Sequence, residues 1–454
     1  MNREFDSKIT AFLHANRESI FADIDRLLRH DSVTGEPQPG APFGREIKET
    51  IDEMLALCAA HGLKTRNIDG MIGEAVWGDG EESLGVITHV DIVPVGGGWT
   101  KPALQLTVED GMMYGRGVVD DKGPAVASLW ALLAALDAGA VINKKIVLLF
   151  GGDEESGMRC AKRYLETEKA PDMSFSPDAG FPGIFCEKTL CAGTLRAAIP
   201  AGSALVGISG GTRTNVVPGE AEAVLTAQPA GQAPQGVTVE KGPAGWIVRA
   251  SGVPAHASMP EKGDNAIVRL LEALPVLLPE GDLAIPVVAS LHRLCAAYDG
   301  SGLGIACRDD VSGALTFNLG VIGVANGSIE ARFDIRHPVN VDVEGSIRRI
   351  EAAAGACGMD AAGLSVSPGF CIPKDHKLCK TLMAVYNEIN GTNDEPIAIG
   401  GGTYARKLPN AMAFGLLFES DPETVHMADE RVSVESFLKA TRIYANAIAE
   451  LGRA

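Results

Sequence analysis

At 454 residues the chain is too long for one ordinary core, so two or three domains are expected. Its 58 Asp+Glu against 40 Lys+Arg give a formal net charge of -18, which argues against nucleic acid or an anionic membrane as partner, because phosphate binding depends on basic surface. Nine cysteines without a CxxC pair read as reduced, mostly buried thiols rather than a zinc finger. The N-terminal stretch carries no secretory signature and no run is long enough to span a bilayer, so a cytoplasmic location is expected.

Along the chain, Ile20 to Leu28 and Glu46 to His61 place apolar residues at helical spacing. Leu84 to Thr88 is predicted as a strand. Gly123 to Gly139 is Ala/Leu-rich and predicted helical, with Gly139 as its stop. Lys145 to Phe150 is the next predicted strand, and Met158 to Glu168 the next helix. This alternation is the α/β signature. From about Thr189 to Pro373 glycine and proline become frequent and the strands short. Two segments there, NVVPGEAEAVLTA (Asn215 to Ala227) and VANGSIEARFDIR (Val324 to Arg336), echo each other and suggest two similar αβ halves. The final segment regains α/β character. The expected organisation is a catalytic domain over residues 1–188 and 376–454, interrupted by an inserted domain over 189–375.

Four acidic or histidine-bearing stretches each follow an apolar run that reads as a strand. They are LGVITHVDIVPVG, YGRGVVDDKGP, IVLLFGGDEESG and MSFSPDAG. Loops at the carboxyl ends of neighbouring parallel strands converge on one crevice, so His89, Asp91, Asp120, Asp121, Glu154, Glu155 and Asp178 are expected to meet. So many carboxylates cannot stay ionised together in a partly desolvated site without positive charge, and a pair of divalent metal ions is its simplest source. His89 is a metal ligand in this reading. Asp91, two residues on and on the same side of the strand, orients it. Asp120 or Asp121 can bridge two cations. Of Glu154 and Glu155, one is a ligand and the other a general base, and spacing alone leaves open which. Asp178 is a terminal ligand, and His426, in ETVHMADE, a late candidate. His256, among small residues in VPAHASMP, is a candidate oxyanion donor. The glycine run GGGTYAR can present backbone N–H groups to a carboxylate. His14, His30, His61, His292, His337 and His376 read as structural.

The combination THVDIVP, GRGVVDDKGP, DEESG, SPDAGFP, AHASMP and VHMADE resembles the co-catalytic zinc metallohydrolases. That group includes aminoacylase, the acetylornithine and succinyl-diaminopimelate deacylases (ArgE, DapE) and carboxypeptidase G. DDKGP, TNVVP, FDIRHP and GGGTYAR make the PepV-like bacterial dipeptidases the nearest match. The resemblance spans nearly the whole chain. It implies a zinc-peptidase-type α/β domain, a mixed sheet flanked by helices, with an inserted α+β lid of two similar halves that imitate a dimer partner, and hence a monomer. It implies that His89, Asp120 and Asp178 hold one metal and Asp120, Glu155 and His426 the other, with a cis peptide between Asp120 and Asp121. Glu154 is then the base, activating a hydroxide held between the metals. Asn215, His256, Arg336 and Gly401 are implied as substrate-binding positions. Zn²⁺ is the expected metal, with Mn²⁺ or Co²⁺ as alternatives. Asp153, before the glutamate pair, departs from the pattern and adds a negative charge. The alternatives weighed are an N-acyl amino acid deacylase with the same metals, a non-catalytic metal-binding or scaffold protein of the same fold, and a two-metal phosphoesterase, which the lack of a basic phosphate-clamping stretch argues against.

Overall fold

The computed structural model describes residues 2–453 and divides into two compact units. The first comprises the chain up to Phe185, Ile372–Ile397 and the stretch from Gly402 onward; the second comprises Cys186–Cys371 and Ala398–Gly401.

In the first unit the central strand Ser83–His89 is buried along its whole length, as a strand covered on both faces must be. It pairs in parallel with Lys145–Gly151 on one side and Met173–Ser176 on the other. Ala411–Ala413 extends the parallel set beyond Met173–Ser176. Ile72–Trp77 and Lys64–Ile68 add antiparallel strands at the opposite edge, which makes the sheet mixed. The register places His89 opposite Gly151, so strands that end together deliver their loops to one place. Helix Lys122–Asp137 is buried on nearly every side, as its predominantly apolar, Ala/Leu-rich composition requires. It packs against Arg3–Ala15, Arg17–Leu28 and Val434–Gly452.

The stretch ending in Asp120–Asp121 departs from expectation. The strand before it, Met112–Tyr114, lies outside the large sheet, between Thr107–Glu109 and Arg431–Ser433 in a small antiparallel one. The aspartates therefore arrive from the turn ahead of helix Lys122–Asp137 rather than from a parallel strand.

The second unit is built on an eight-stranded antiparallel sheet. Its order is Val237–Gly242, Gly245–Ser251, Glu220–Leu225, Leu205–Gly210, Thr316–Ala325, Ser328–His337, Thr189–Ala198 and Asp360–Ser367. Burial alternates residue by residue along Thr189–Ala198, the mark of a sheet with one face on a core. That core includes Leu270, Leu274, Leu291, Phe317, Phe333 and Ile350. Asn265 caps helix Ala266–Leu277 through the N–H groups of Ile267 and Val268.

Cys186 and Cys371 form a disulfide, so the reading of all nine cysteines as reduced thiols does not hold for this pair. They stand opposite each other on antiparallel strands, where side chains lie close together; a separation of 185 residues hides that in the sequence. The other seven are free.

Candidate active site

His89 closes the central strand with its side chain fully buried. The backbone orients it from two sides. Its Nδ1 lies 2.9 Å from the carbonyl oxygen of Asp91, and its own N–H donates to Asp121 Oδ2 at 3.0 Å. The Tyr404 ring packs edge-on against the imidazole, 6.1 Å between centroids. Gly151, opposite His89, makes room for Tyr404: a Cβ there would stand 2.0 Å from the phenol oxygen.

Asp91 does more than orient His89. Its carboxylate lies 3.4 Å from the ring Nδ1. Both its oxygens also accept backbone N–H groups, Oδ1 from Glu154 and Oδ2 from Glu155, each at 3.1 Å. The strand-end H-x-D pair thus also fixes the turn bearing the two glutamates. Asp153 is buried, and its carboxylate is bound by the Arg159 guanidinium and backbone N–H. The extra negative charge noted in the sequence is neutralised locally.

Asp120 sits between the two histidines. Its Oδ1 is 2.8 Å from His89 Nε2, and its Oδ2 is 2.8 Å from His426 Nε2. The peptide bond from Asp120 to Asp121 is cis. Glu155 Oε1 is 2.9 Å from His426 Nε2, and Asp178 Oδ2 is 3.9 Å from His89 Nε2. His426 has a left-handed backbone, φ 63°, an uncommon conformation in which histidine is over-represented. His89, Glu154 and Asp178 can converge ligand atoms on one point, and so can His89, Asp120 and Glu155. The geometry alone leaves Glu154 able to act as ligand or as base.

The electrostatics describe a site short of positive charge. Burial, then the charge of Asp178, pushes Glu154 well above the ordinary glutamate range. Burial, with Asp120 next, raises Asp178 to about 7. Burial also opposes ionisation of Asp120, yet His426 and His89 outweigh it and hold this carboxyl below its usual range. Burial likewise opposes charge on His426, but Asp120 and Glu155 raise it to about 10. Without cations the histidines must carry protons to balance the carboxylates. Nε2 of His89 stands 2.8 Å from Asp120 Oδ1 without hydrogen-bond geometry toward it, an unusual state for a buried polar atom. A buried imidazole nitrogen that faces carboxylate oxygens of Asp120 and Asp178 without well-formed hydrogen bonds fits a metal ligand.

The other sequence-singled residues lie in the second unit. His256, on a two-residue strand paired with Val216, is exposed, and its Nδ1 lies 2.7 Å from Ser258 Oγ. Asn215 accepts the Ala257 N–H through its carbonyl oxygen. Arg336 is buried, gripped by Asp334 through Nε at 2.6 Å and Nη2 at 3.1 Å, and its Nη1 donates to the carbonyl of Gly400 at 2.6 Å. Ser258 also packs against Gly400, next to Gly401. Within this unit the histidine, the arginine and the glycine loop thus form one cluster.

Sequence reading passes over Arg116 and Glu430, both buried and paired with each other. A signal was available in the motifs: an arginine between two glycines in GRG, and a glutamate closing VHMADE.

The sequence model of peptidase family M20/M25/M40 matches residues 85–450. A Bacillus subtilis (strain 168) protein named "Putative dipeptidase YtjP" is 34% identical over 465 residues, spanning 96% of this chain and 98% of its own. The fold resembles that of the dipeptidase Dug1p from Saccharomyces cerevisiae, with a TM-score of 0.62, 12% identity and full coverage, 100% of both chains. It also resembles the Bacillus subtilis YXEP protein, described as a dinuclear metal binding peptidase, with a TM-score of 0.51, 12% identity and coverage of 96% of this chain and 99% of that one.

Proposed function

The chain belongs to peptidase family M20/M25/M40, and from that premise we propose that it is a dinuclear metal-dependent dipeptidase acting on small unblocked dipeptides. The observation that carries this reading is Asp120, whose two oxygens face two different imidazoles at 2.8 Å each. His89, Asp120 and Asp178 would hold one divalent cation, and Asp120, Glu155 and His426 the other. When bound, the cations would polarise the scissile carbonyl and lower the pKa of water. One imidazole and two carboxylates at each position suit Zn²⁺ and admit Mn²⁺ or Co²⁺.

Glu154 is the general base in this proposal. Its neighbour Glu155 lies beside His426, which supports giving the ligand role to Glu155 and leaves Glu154 for the proton. It takes a proton from the attacking water and returns it to the leaving amine, a role worth roughly 10²–10⁴-fold in rate. Asp91 holds the backbone of both glutamates, so the base and the ligand keep a fixed offset. Asn215, His256, Arg336 and Gly401 are assigned to the substrate, His256 to the developing oxyanion and Arg336 to a carboxylate; the resemblance of their motifs supports this. Action as a monomer in the cytoplasm completes the proposal.

Dipeptides with a free α-amino group, assayed beside the same compounds N-acetylated, test the substrate class. Cleavage of the free-amine set alone is expected. Cleavage of the acetylated set alone would make the chain an N-acyl amino acid deacylase with the same site.

A further inference from the structure

Glu430 lies four residues beyond His426 and is fully buried. Its Oε1 accepts three backbone N–H groups from the loop that delivers Asp120: Gly117 and Val119 at 3.0 Å and Asp120 itself at 3.2 Å. Its Oε2 accepts from Arg116, which is 1% exposed and whose guanidinium stands 5.3 Å from the centre of the Trp99 ring. The Glu430 carbonyl accepts the Gly115 N–H, and the next residue, Arg431, pairs with Tyr114. Asp429 in turn accepts from the Thr100 N–H and hydroxyl and from the Lys101 N–H.

The loop needs such an acceptor. Gly117, at φ +90°, takes the chain out of any regular ladder, and buried N–H groups without a ladder must find another partner. One side chain therefore collects the amides of the Asp120 loop, while its own backbone continues into the turn that carries His426. Both halves of the Asp120–His426 contact hang on it.

We propose that Glu430, held by Arg116, is a positioning residue that sets the spacing of Asp120 and His426 and so tunes the affinity of the paired cation positions. This rests on the dinuclear reading above. Outer partners of metal ligands typically change metal affinity or activity by about 10–100-fold when removed.

The test is a Mn²⁺ titration of the metal-free chain followed by electron paramagnetic resonance, on wild type, Glu430→Ala and the isosteric Glu430→Gln, with near-ultraviolet circular dichroism to confirm folding. The expected result is Mn²⁺ affinity weakened about 10–100-fold in Glu430→Ala and about tenfold in Glu430→Gln, with loss of the spin-coupled signal of a closely spaced pair. At saturating Mn²⁺, kcat falls while KM for a dipeptide stays within about twofold, as expected when a transition-state interaction is lost. If Glu430→Ala does not fold, Glu430→Gln decides alone. Folded variants with wild-type affinity and a wild-type coupled signal would overturn the proposal. A wild-type chain that binds no second Mn²⁺ would count instead against the dinuclear reading.

Discussion

At the residue scale, the proposal gives Asp120, Glu154 and His89 different roles, and substitutions should separate them. Glu154→Ala should lose roughly 10²–10⁴-fold in kcat, the span of a general base, while cation binding measured by calorimetry survives. Full activity in that variant would remove Glu154 as the base. His89→Ala should lose cation binding itself, because Nε2 of His89 is the buried nitrogen that faces both Asp120 and Asp178. His256 is exposed, on a two-residue strand of the second unit, so His256→Ala should lower kcat without changing the unfolding transition. An unchanged kcat would take His256 out of the mechanism.

At the scale of elements, the segments that hold the site differ in how openly the sequence announces them. Ser83–His89 and Lys145–Gly151 are short apolar runs, buried almost throughout, and an unbroken apolar run of strand length closing on a polar turn is enough to find them. Met112–Tyr114 was not legible as part of a separate sheet, because its partner Arg431 lies more than three hundred residues away and three residues carry no period. Asp91 illustrates the same limit. Its pairing with His89 follows from i, i+2 spacing, but its grip on the Glu154 and Glu155 amides depends on the register of the next strand. In the second unit His337 ends strand Ser328–His337 and reaches helix Val343–Gly355, its Nε2 2.8 Å from Ser346 Oγ. Burial, more than the nearby Arg349 charge, holds its pKa below the usual 6.5. The unfolded chain then binds the proton more readily, so the stability this histidine contributes is present above about 6.5 and falls away as pH drops through its folded pKa. Denaturant melts of the wild type should lose midpoint between pH 7 and 5 more steeply than those of His337→Gln. Parallel losses would show that the ring does not titrate against folding.

At the scale of the whole molecule, two compact units are written into one chain. The change of texture near Thr189 and again near Pro373, where glycine, proline and short strands replace the helix–strand alternation, is the basis for expecting an inserted domain over 189–375. Composition does not reveal the Cys186–Cys371 disulfide, whose two cysteines bound the main segment of the second unit. A bond of this kind is typically worth about 2–4 kcal/mol, so Cys186→Ser should lower unfolding stability by about that amount. Thiol titration of the denatured, unreduced chain should find only the seven free cysteines, and nine reactive thiols would refute the bond. Among the described residues no helix is long and apolar enough to cross a membrane. The central claim is that two cations on one bridging aspartate make this chain a dipeptidase. Its most direct test is to strip the metal with chelator and follow dipeptide hydrolysis as Zn²⁺ or Mn²⁺ is added back per chain. Activity that rises from near zero and levels off at two equivalents is the predicted result; hydrolysis that persists without metal, or saturates at one equivalent, would contradict it.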